Sequence, residues 1–428
     1  MMKLITKPYL LIKEALAICT RAEKKYKLQA QIRRVHEKRL ILALLRHGSM
    51  SRTDMASKLD VSLTSVSALS ERLLRSGWII WSGASNTGDV GRPAERLALR
   101  SEALCLPVIS ARRGTLSIAL YSLTLEIIQS ASFPYPEMFA HPGRMPQFFG
   151  FPVVEAEQFA AFVAQSLLSM SSYDASRAPT AVLSMPGNFV PPEPYFASAP
   201  LDFAIKGDFV TELKRCLALS VTLGNDADFL AFAQKEIGDS DSFIFININE
   251  GVGAGIIHHG HIFKSGRNNA AEIGHQSIDI NGIECRCGGR GCLERYISFS
   301  AIAEQASMRL GRQVGIAEVF DACGAGETAI LKLLEDTTAK LAFAISNMLA
   351  IFDSERVIIG GGVERFGEPF LASLTRRMRE PPVRCIARQT PVGYVRSSHV
   401  DDRLGAASYY LEEIWSVPQE QESEHGEA

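Results

Sequence analysis

The chain has few cysteines, no long apolar run and almost no net charge. Only 8 of its 428 residues are cysteine, and five of these (Cys19, Cys105, Cys216, Cys323, Cys385) are scattered. That excludes a disulfide framework of the kind small secreted proteins use and fits a reducing cytoplasm. No apolar stretch is long enough to span a bilayer, so no membrane role is expected. The opening "MMKLITKPYLLIKEALAICT" has an apolar patch, but Lys13 and Glu14 interrupt it, and it does not read as a signal peptide. With 46% hydrophobic and 21% charged residues, the chain is ordinary for a globular protein and long enough for two or three domains.

The net charge of -2 conceals an asymmetry. Residues 1–100 carry 19 Lys+Arg against 8 Asp+Glu, a net of +11, while the rest carries 26 against 39, a net of -13. A basic module joined to an acidic body suggests polyanion binding by the first part, although a chance excess on a solvated surface gives the same count.

Local patterns in that basic part are more specific. "IRRVHEKRLILALLRHG" places Ile32, Val35, Leu40, Ala43 and Leu44 at helical spacing, with Gly48 as a stop. "SRTDMASKL" opens with a capping box, Ser51 and Asp54, where the hydroxyl accepts from a free N–H of the first turn. "VSLTSVSALSERLLRSGW" offers Ser62 as a cap and a helix to about Arg75, with Val66, Leu69, Leu73 and Leu74 inward and Gly77 ending it. "WIIW" and "ERLALR" flank the turn-rich "SGASNTGDVGRP", two strands with a glycine-rich tip. Three short helices followed by such a hairpin describe a winged helix-turn-helix over residues 31–100. The expected DNA contacts are Ser51 and Arg52, then Thr64, Ser65, Ser67, Ser70 and Arg72 on the third helix, and Arg92 at the wing tip. A polar helical face that meets a protein is the alternative. Residues 1–30 read as an N-terminal arm.

From Leu104 onward the pattern turns to strands alternating with helices, an α/β body over 104–416. "TAVLSMPG" is a buried strand ending in a Pro-Gly turn, and "SVTLGNDADFLAFAQKEIG" is a strand, a polar corner and a helix. "GVGAG" (251–255) and "GGG" (360–362) read as glycine turns after strands; either could approach a phosphate, and either could be a plain tight turn. "FPYPEMFAHPGRMPQFFGFP" reads as a surface excursion, and residues 417–428 as a disordered acidic tail. No internal repeat is visible.

One stretch stands apart. "HQSIDINGIECRCGGRGCLE" (275–294) gathers His275, Cys285, Cys287 and Cys292 within eighteen positions. One imidazole and three thiolates suit tetrahedral Zn²⁺, and four protein ligands leave no position for water, so the metal is expected to be structural. Gly282, Gly288, Gly289 and Gly291 permit a fold tight enough to aim all four inward. Free thiols or a transient disulfide are the alternative. Glu272 and Glu294 flank the loop, and Asn225 with Asp226 stand at the strand-to-helix corner. Carboxylates accept strong hydrogen bonds from neighbouring hydroxyls, which points to a polyhydroxylated ligand, whereas each acid taken singly is as well explained as a surface residue.

Three motifs carry a family resemblance: "EIGH" (272–275) matches E-x-G-H, "CRCGGRGCLE" (285–294) matches C-x-C-G-x-x-G-C-x-E, and "GNDADFLAFAQ" (224–234) looks like an N-D-A element. With the N-terminal helices and "GRP", the chain from about Gln31 to Tyr410 resembles the ROK family, named for repressors, open reading frames and kinases. The resemblance implies an actin-like, RNase H-like sugar-kinase fold of two α/β lobes around a sugar cleft. It implies sugar contacts from Asn225, Asp226, Glu272, His275 and Glu294, and structural zinc on His275, Cys285, Cys287 and Cys292. It is similar to the family's glucose-, N-acetylglucosamine- and xylose-responsive repressors, which assemble as homodimers or tetramers. Kinases of the family carry D-x-G-G-T on the first strand of the body; here "ARRGT" (111–115) puts Ala111 in place of the Asp. The loop "NFVPPEPYFASAPLDF" also departs, being shorter and richer in proline. The resulting expectation is a cytoplasmic, non-enzymatic regulator that binds an operator duplex and responds to a sugar or sugar phosphate. Its rivals are an active sugar kinase with an accessory DNA module and a regulator switched by a protein partner.

Overall fold

A computed structural model describes residues 30–85, 94–140, 147–148, 151–189, 194–198, 200–235, 240–264, 271–383, 385–396 and 401–414. The expected arm up to residue 29, the wing tip with Arg92 and the tail lie outside the described residues. The chain divides into two compact units. The first is built from the chain up to Leu104, Ser122–Glu126 and the chain from Leu411; the second from Cys105–Tyr121 and Ile127–Tyr410.

The first unit begins with α1 (30–47), β1 (Met50–Ser51), α2 (Arg52–Leu59) and α3 (Leu63–Arg75), followed by β2 (Ile79–Ser85) and β3 (Ala94–Leu99). The capping box at α2 is present in full: Asp54 N–H donates to Ser51 Oγ at 3.1 Å, and Ser51 N–H to Asp54 Oδ2 at 3.2 Å. Ser62 caps α3 by accepting from Ser65 N–H at 3.2 Å. The strands form a small antiparallel sheet in the order β1-β3-β2. Leu40, Ile41, Leu44, Met55, Val66, Leu69, Leu73, Ile79 and Leu97 fill the core between them.

Here the sequence expectation needs correcting. Ile32 and Val35 are exposed, at 49% and 53%, and α1 buries Glu37, Leu40, Ile41 and Leu44 instead. The true stripe is set one residue off the expected one near the helix start, because Glu37 sits inside and receives Arg72 of α3 at 3.1 Å. A buried charge persists when it is paired.

In the second unit, β4 (Leu106–Arg112), β5 (Thr115–Tyr121) and β6 (Ile127–Pro134) form an antiparallel meander. The short α4 (Glu137–Ala140) and β7 (Gln147–Phe148) lead to β8 (Phe151–Glu155) and α5 (Ala156–Leu168). Next come β9 (Thr180–Met185), β10 (Asn188–Phe189), β11 (Tyr195–Ser198), β12 (Phe203–Lys206), α6 (Phe209–Leu217), β13 (Ser220–Asn225) and α7 (Asp226–Ala233). β14 (Phe243–Ile248), β15 (Val252–His258) and β16 (His261–Ile262) open the second half. It continues with α8 (Glu294–Ile297), α9 (Phe299–Leu310), α10 (Ile316–Gly324) and α11 (Thr328–Phe352). It ends with β17 (Arg356–Gly360), α12 (Glu368–Met378), β18 (Val392–Tyr394) and α13 (Asp402–Tyr409).

Two five-stranded sheets repeat one topology. The orders β6-β5-β4-β9-β13 and β16-β15-β14-β17-β18 each place an antiparallel meander beside two parallel strands. The interior strands β9 and β14 are buried at every residue, as strands covered on both faces must be. Each sheet has its own hydrophobic core, one around Ile109, Leu183 and Phe203, the other around Ile246, Leu341 and Ile359. This is a duplicated, actin-like architecture, and the duplication is visible in backbone topology where no repeat is visible in the residues. A third five-stranded sheet, β10-β11-β12-β8-β7, adjoins the first half.

Two more expectations change. The described start of the aromatic, proline-rich segment is no surface excursion: Phe139 is buried, and Tyr135 packs on Phe139, Phe162 and Phe203 with ring centroids 5.3–5.8 Å apart, while residues 141–146 and 149–150 lie outside the described residues. "GVGAG" is a turn only at Gly251, because Val252 to Gly255 lie in β15. A Cβ on Gly255 would stand 2.5 Å from the Ala227 carbonyl oxygen and 2.6 Å from Ala231 Cβ, so glycine there lets α7 lie directly on the sheet. Among the described residues no helix is long and apolar enough to cross a membrane.

Candidate functional site

The loop between β16 and α8 carries the soft donors. A single 3₁₀ turn, Ile273–His275, presents the imidazole, and His275 Nδ1 lies 3.8 Å from Cys285 Sγ. Cys287 Sγ and Cys292 Sγ are 3.6 Å apart. All four ligand atoms lie within 4.8 Å of one another, a group that can hold a metal ion. Isolated pairings of Ser277 with Cys292 and of Glu284 with Arg290, and a turn in which Cys285 N–H donates to the Gly289 carbonyl at 2.9 Å, fold the loop back on itself. Gly291 has φ +70°, and a Cβ there would sit 1.7 Å from the Asp279 carbonyl oxygen, so no other residue fits. Gly274 in "EIGH" is equally confined, its absent Cβ falling 2.2 Å from the Val252 carbonyl oxygen. Burial of Cys285 and Cys292 pushes both thiols up, Cys292 to about 12. Without a cation these sulfurs stay protonated; a divalent ion reverses that preference.

Beside the loop opens a cavity of about 520 Å³, of the size that holds a small molecule. Asn225, Asp226, Glu272, His275 and Glu294 all line it. Each is held in place. Asn225 caps α7, its Oδ1 accepting from Ala227 N–H at 2.9 Å. Glu294 Oε2 accepts from Val252 N–H at 2.9 Å, and Glu272 Oε1 accepts from Asn188 Nδ2 at 2.7 Å. Asn188 follows the Pro-Gly turn and is a lining residue that sequence reading missed, as are Asn247 and Asn249 at the end of β14. A second cavity, about 470 Å³, shares Asn188, Gly251, His275 and Glu294 with the first.

Arg112 and Asp402 were missed as well. At the end of β4, Arg112 Nη2 donates to Asp402 Oδ1 at 2.7 Å, and Ser184 Oγ donates to Asp402 Oδ2 at 2.6 Å. Asp402 is 5% exposed and opens α13, 290 residues away in sequence, so no local signal could pair them. Its charge bears on Asp226, whose carboxyl is pushed up to about 7, first by burial and then by Asp402. Asp228 rises to about 7 too, by burial.

In the first unit, the expected contact residues divide. Thr64 and Ser65 are exposed and Ser67 is half-buried. Ser70 is a correction: it is 0% exposed and donates to the Val66 carbonyl oxygen at 2.7 Å, because position 70 falls beside Leu69 and Leu73 on the inner stripe. Ser51 is buried and committed to its capping box. Arg72 is drawn inward to Glu37, and Arg52 pairs with Glu71. Arg92 lies outside the described residues.

A family model described as the ROK family matches residues 160–412. The chain belongs to the ROK family. This ROK protein is 29% identical over 280 residues to a glucokinase of Thermotoga maritima, covering 59% of this chain and 84% of that one. It is 25% identical over 159 residues to the xylose repressor of Bacillus subtilis, covering 36% of this chain and 41% of that one. Its fold matches the crystal structure of a ROK family transcriptional regulator, a homolog of the E. coli MLC protein. The TM-score there is 0.72 at 21% identity, over 89% of this chain and 97% of that one.

The raised Asp226 carboxyl has a consequence for stability. Between its ordinary value of 3.8 and about 7, the native chain keeps a proton that the unfolded chain has lost. Native proton binding then exceeds unfolded binding, so this group lowers stability as pH rises through that window and no further above it. Asp226→Asn is expected to flatten part of the fall in thermal midpoint between about pH 5 and 8. Asp228 retains its own share. A slope identical to that of the unsubstituted chain contradicts the assignment.

Proposed function

We propose that this ROK protein is a DNA-binding transcriptional repressor of carbohydrate-metabolism genes, controlled by a sugar or sugar derivative in the cavity. The observation that carries the reading is one chain with two features. A capped three-helix unit with a hairpin precedes a sugar-kinase-like cleft whose strand β4 ends in Ala111 and Arg112, with Ala111 where kinases of the family carry a carboxylate. The helix α3 enters the major groove, with Thr64, Ser65 and Ser67 near base edges and phosphates. The excess of basic residues before position 100 supports phosphate contact. In the cavity, Asn225, Asp226, Glu272, His275 and Glu294 bind the hydroxyls of the sugar, assisted by Asn188.

Zinc on His275, Cys285, Cys287 and Cys292 fits the donor set. Tetrahedral zinc with Zn–S near 2.3 Å puts its sulfurs about 3.8 Å apart. The 3.6 Å between Cys287 Sγ and Cys292 Sγ is close to that spacing. The ion supplies no reaction step; it fixes the loop that carries Glu272 and Glu294.

The absence of phosphoryl transfer follows from charge. Transfer from ATP requires Mg²⁺ held by carboxylates beside the phosphates. Ala111 cannot supply one, and Asp402 is already taken by Arg112 and Ser184. One observation favours the rival kinase reading: Asp226, with its carboxyl near 7, sits at the cavity where a general base would act. An ATP-consumption assay over a panel of monosaccharides is therefore expected to give only background turnover, and turnover with any one sugar would revive the kinase.

Footprinting on upstream DNA, with and without the same sugars and their phosphates, is expected to show protection that one of them relieves. The two states must differ in sugar affinity for that to occur, and relief from 99% to 1% occupancy needs a difference of about 10⁴. Protection indifferent to every sugar leaves a protein partner as the switch. Cys292→Ala is expected to lose stoichiometric zinc and to weaken sugar binding by about tenfold or more, since ligand orientation depends on the loop. Zinc analysis with calorimetric titration reads both; full sugar affinity in metal-free protein would separate the two sites.

A further inference from the structure

The helix α3 shows an exposed face of Thr64, Ser65, Ala68, Glu71 and Arg75. Spacings of three, four and seven residues keep them on one stripe. Glu71 is the only acidic residue in the helix, and its side chain is 57% exposed. A bare carboxylate on a surface that meets DNA is repelled by the flanking phosphates. Glu71 is not bare. Arg52, the first residue of α2, donates through Nη2 to Glu71 Oε1, and its guanidinium carbon stands 5.1 Å from the ring centroid of Trp81 on β2. Three elements thus cooperate to hold one carboxylate upright and cancel its charge. Among the described residues, Glu71 Oε2 has no hydrogen-bond partner.

We infer that Glu71 is a base-reading residue, its Oε2 accepting a hydrogen bond from the N4 amino group of a cytosine in the major groove. This rests on the DNA-binding reading above. The choice of base follows from groove chemistry. Guanine and thymine present acceptor oxygens, which repel a carboxylate. Adenine presents an amino group with the N7 lone pair beside it, so the carboxylate meets attraction and repulsion together. Cytosine presents the amino donor alone. Arg52 is a positioning residue: it fixes the rotamer of Glu71 and removes the penalty of bringing a negative group between phosphates.

The test is selection from a randomised duplex library by the full chain, by Glu71→Gln and by Glu71→Ala, followed by sequencing. The unsubstituted protein is expected to fix a C·G pair at one position of its site. Glu71→Ala loses that preference by roughly tenfold and keeps the others, and Glu71→Gln moves it to adenine, whose N6 and N7 suit a glutamine amide. Because Glu71 is exposed, thermal midpoints should be unchanged, which separates lost reading from lost folding. Identical preferences in all three proteins overturn the inference. So does a uniform loss at every position, which makes Arg52–Glu71 a purely structural pair. If the unsubstituted chain retains no duplex of any sequence, the DNA-binding reading itself fails and takes this one with it; selective binding indifferent to residue 71 leaves that reading intact.

Discussion

Three sulfurs and an imidazole nitrogen lie within 4.8 Å of one another, a group that can hold a metal ion. As thiols they are a poorly bonded cluster; as thiolates they repel. Burial pushes the Cys285 and Cys292 thiols up, a preference that a coordinated divalent ion would reverse. The same loop also places acids that line the cavity. His275 ends the turn that Glu272 begins, and Glu294 follows Cys292 by two residues and opens α8. Gly274 and Gly291, neither with room for a side chain, press the two ends of the loop onto β15 and Asp279. Donor clustering, glycine packing and acid placement are therefore one constraint seen from three sides.

The second constraint is the ion pair at the end of β4. In a phosphoryl-transfer cleft, carboxylates at this point would gather a divalent ion. Here a guanidinium is already bound to the buried Asp402, whose other oxygen accepts from Ser184. Burial first, and then the charge of Asp402, push the Asp226 carboxyl up to about 7. A proton-bearing carboxyl donates as well as accepts, so the cavity meets a hydroxylated ligand with both kinds of hydrogen-bonding group. The change that weakens the case for catalysis thereby leaves hydrogen-bonding groups in the cavity, in keeping with the proposed sensor role.

Much of this was legible in the residues because it is local. Caps at Ser51 and Ser62, helix α3, the Pro-Gly turn and the metal-loop glycines all depend on neighbours within a few positions, and all stand where expected. The errors share a cause too: they concern which side faces inward, and that is decided by distant partners. Ile32 and Val35 fit a helical stripe, but Arg72 on another helix selects the face containing Glu37. Ser70 looks polar and outward, yet a hydroxyl that returns its proton to Val66 is comfortable in a core. Tyr135 and Phe139 sit among prolines that suggest a loop, and are claimed by Phe203. The sheet duplication escaped detection because it is conserved in hydrogen-bond order, which alternating apolar runs of any composition satisfy. Arg112 and Asp402 could not be paired across 290 residues by any periodicity.

Under the proposed function, in which the cavity takes a sugar, selectivity comes from hydroxyl geometry. Its polar groups are already partly committed: Glu272 gives one oxygen to Asn188, Glu294 one to Val252, and Asn225 its carbonyl to Ala227. What remains is a set of fixed lone pairs and amide donors whose directions cannot adapt without breaking those bonds. A sugar whose hydroxyls match completes the set. An epimer leaves at least one half-buried carboxylate or amide unpaired, and an unmatched polar group of that kind costs far more than a lost apolar contact. The Asn188–Glu272 bond makes this point most directly, since it fixes the orientation of a carboxylate at which the metal loop and the Pro-Gly turn meet. The discrimination is built into the resting arrangement, before any ligand enters.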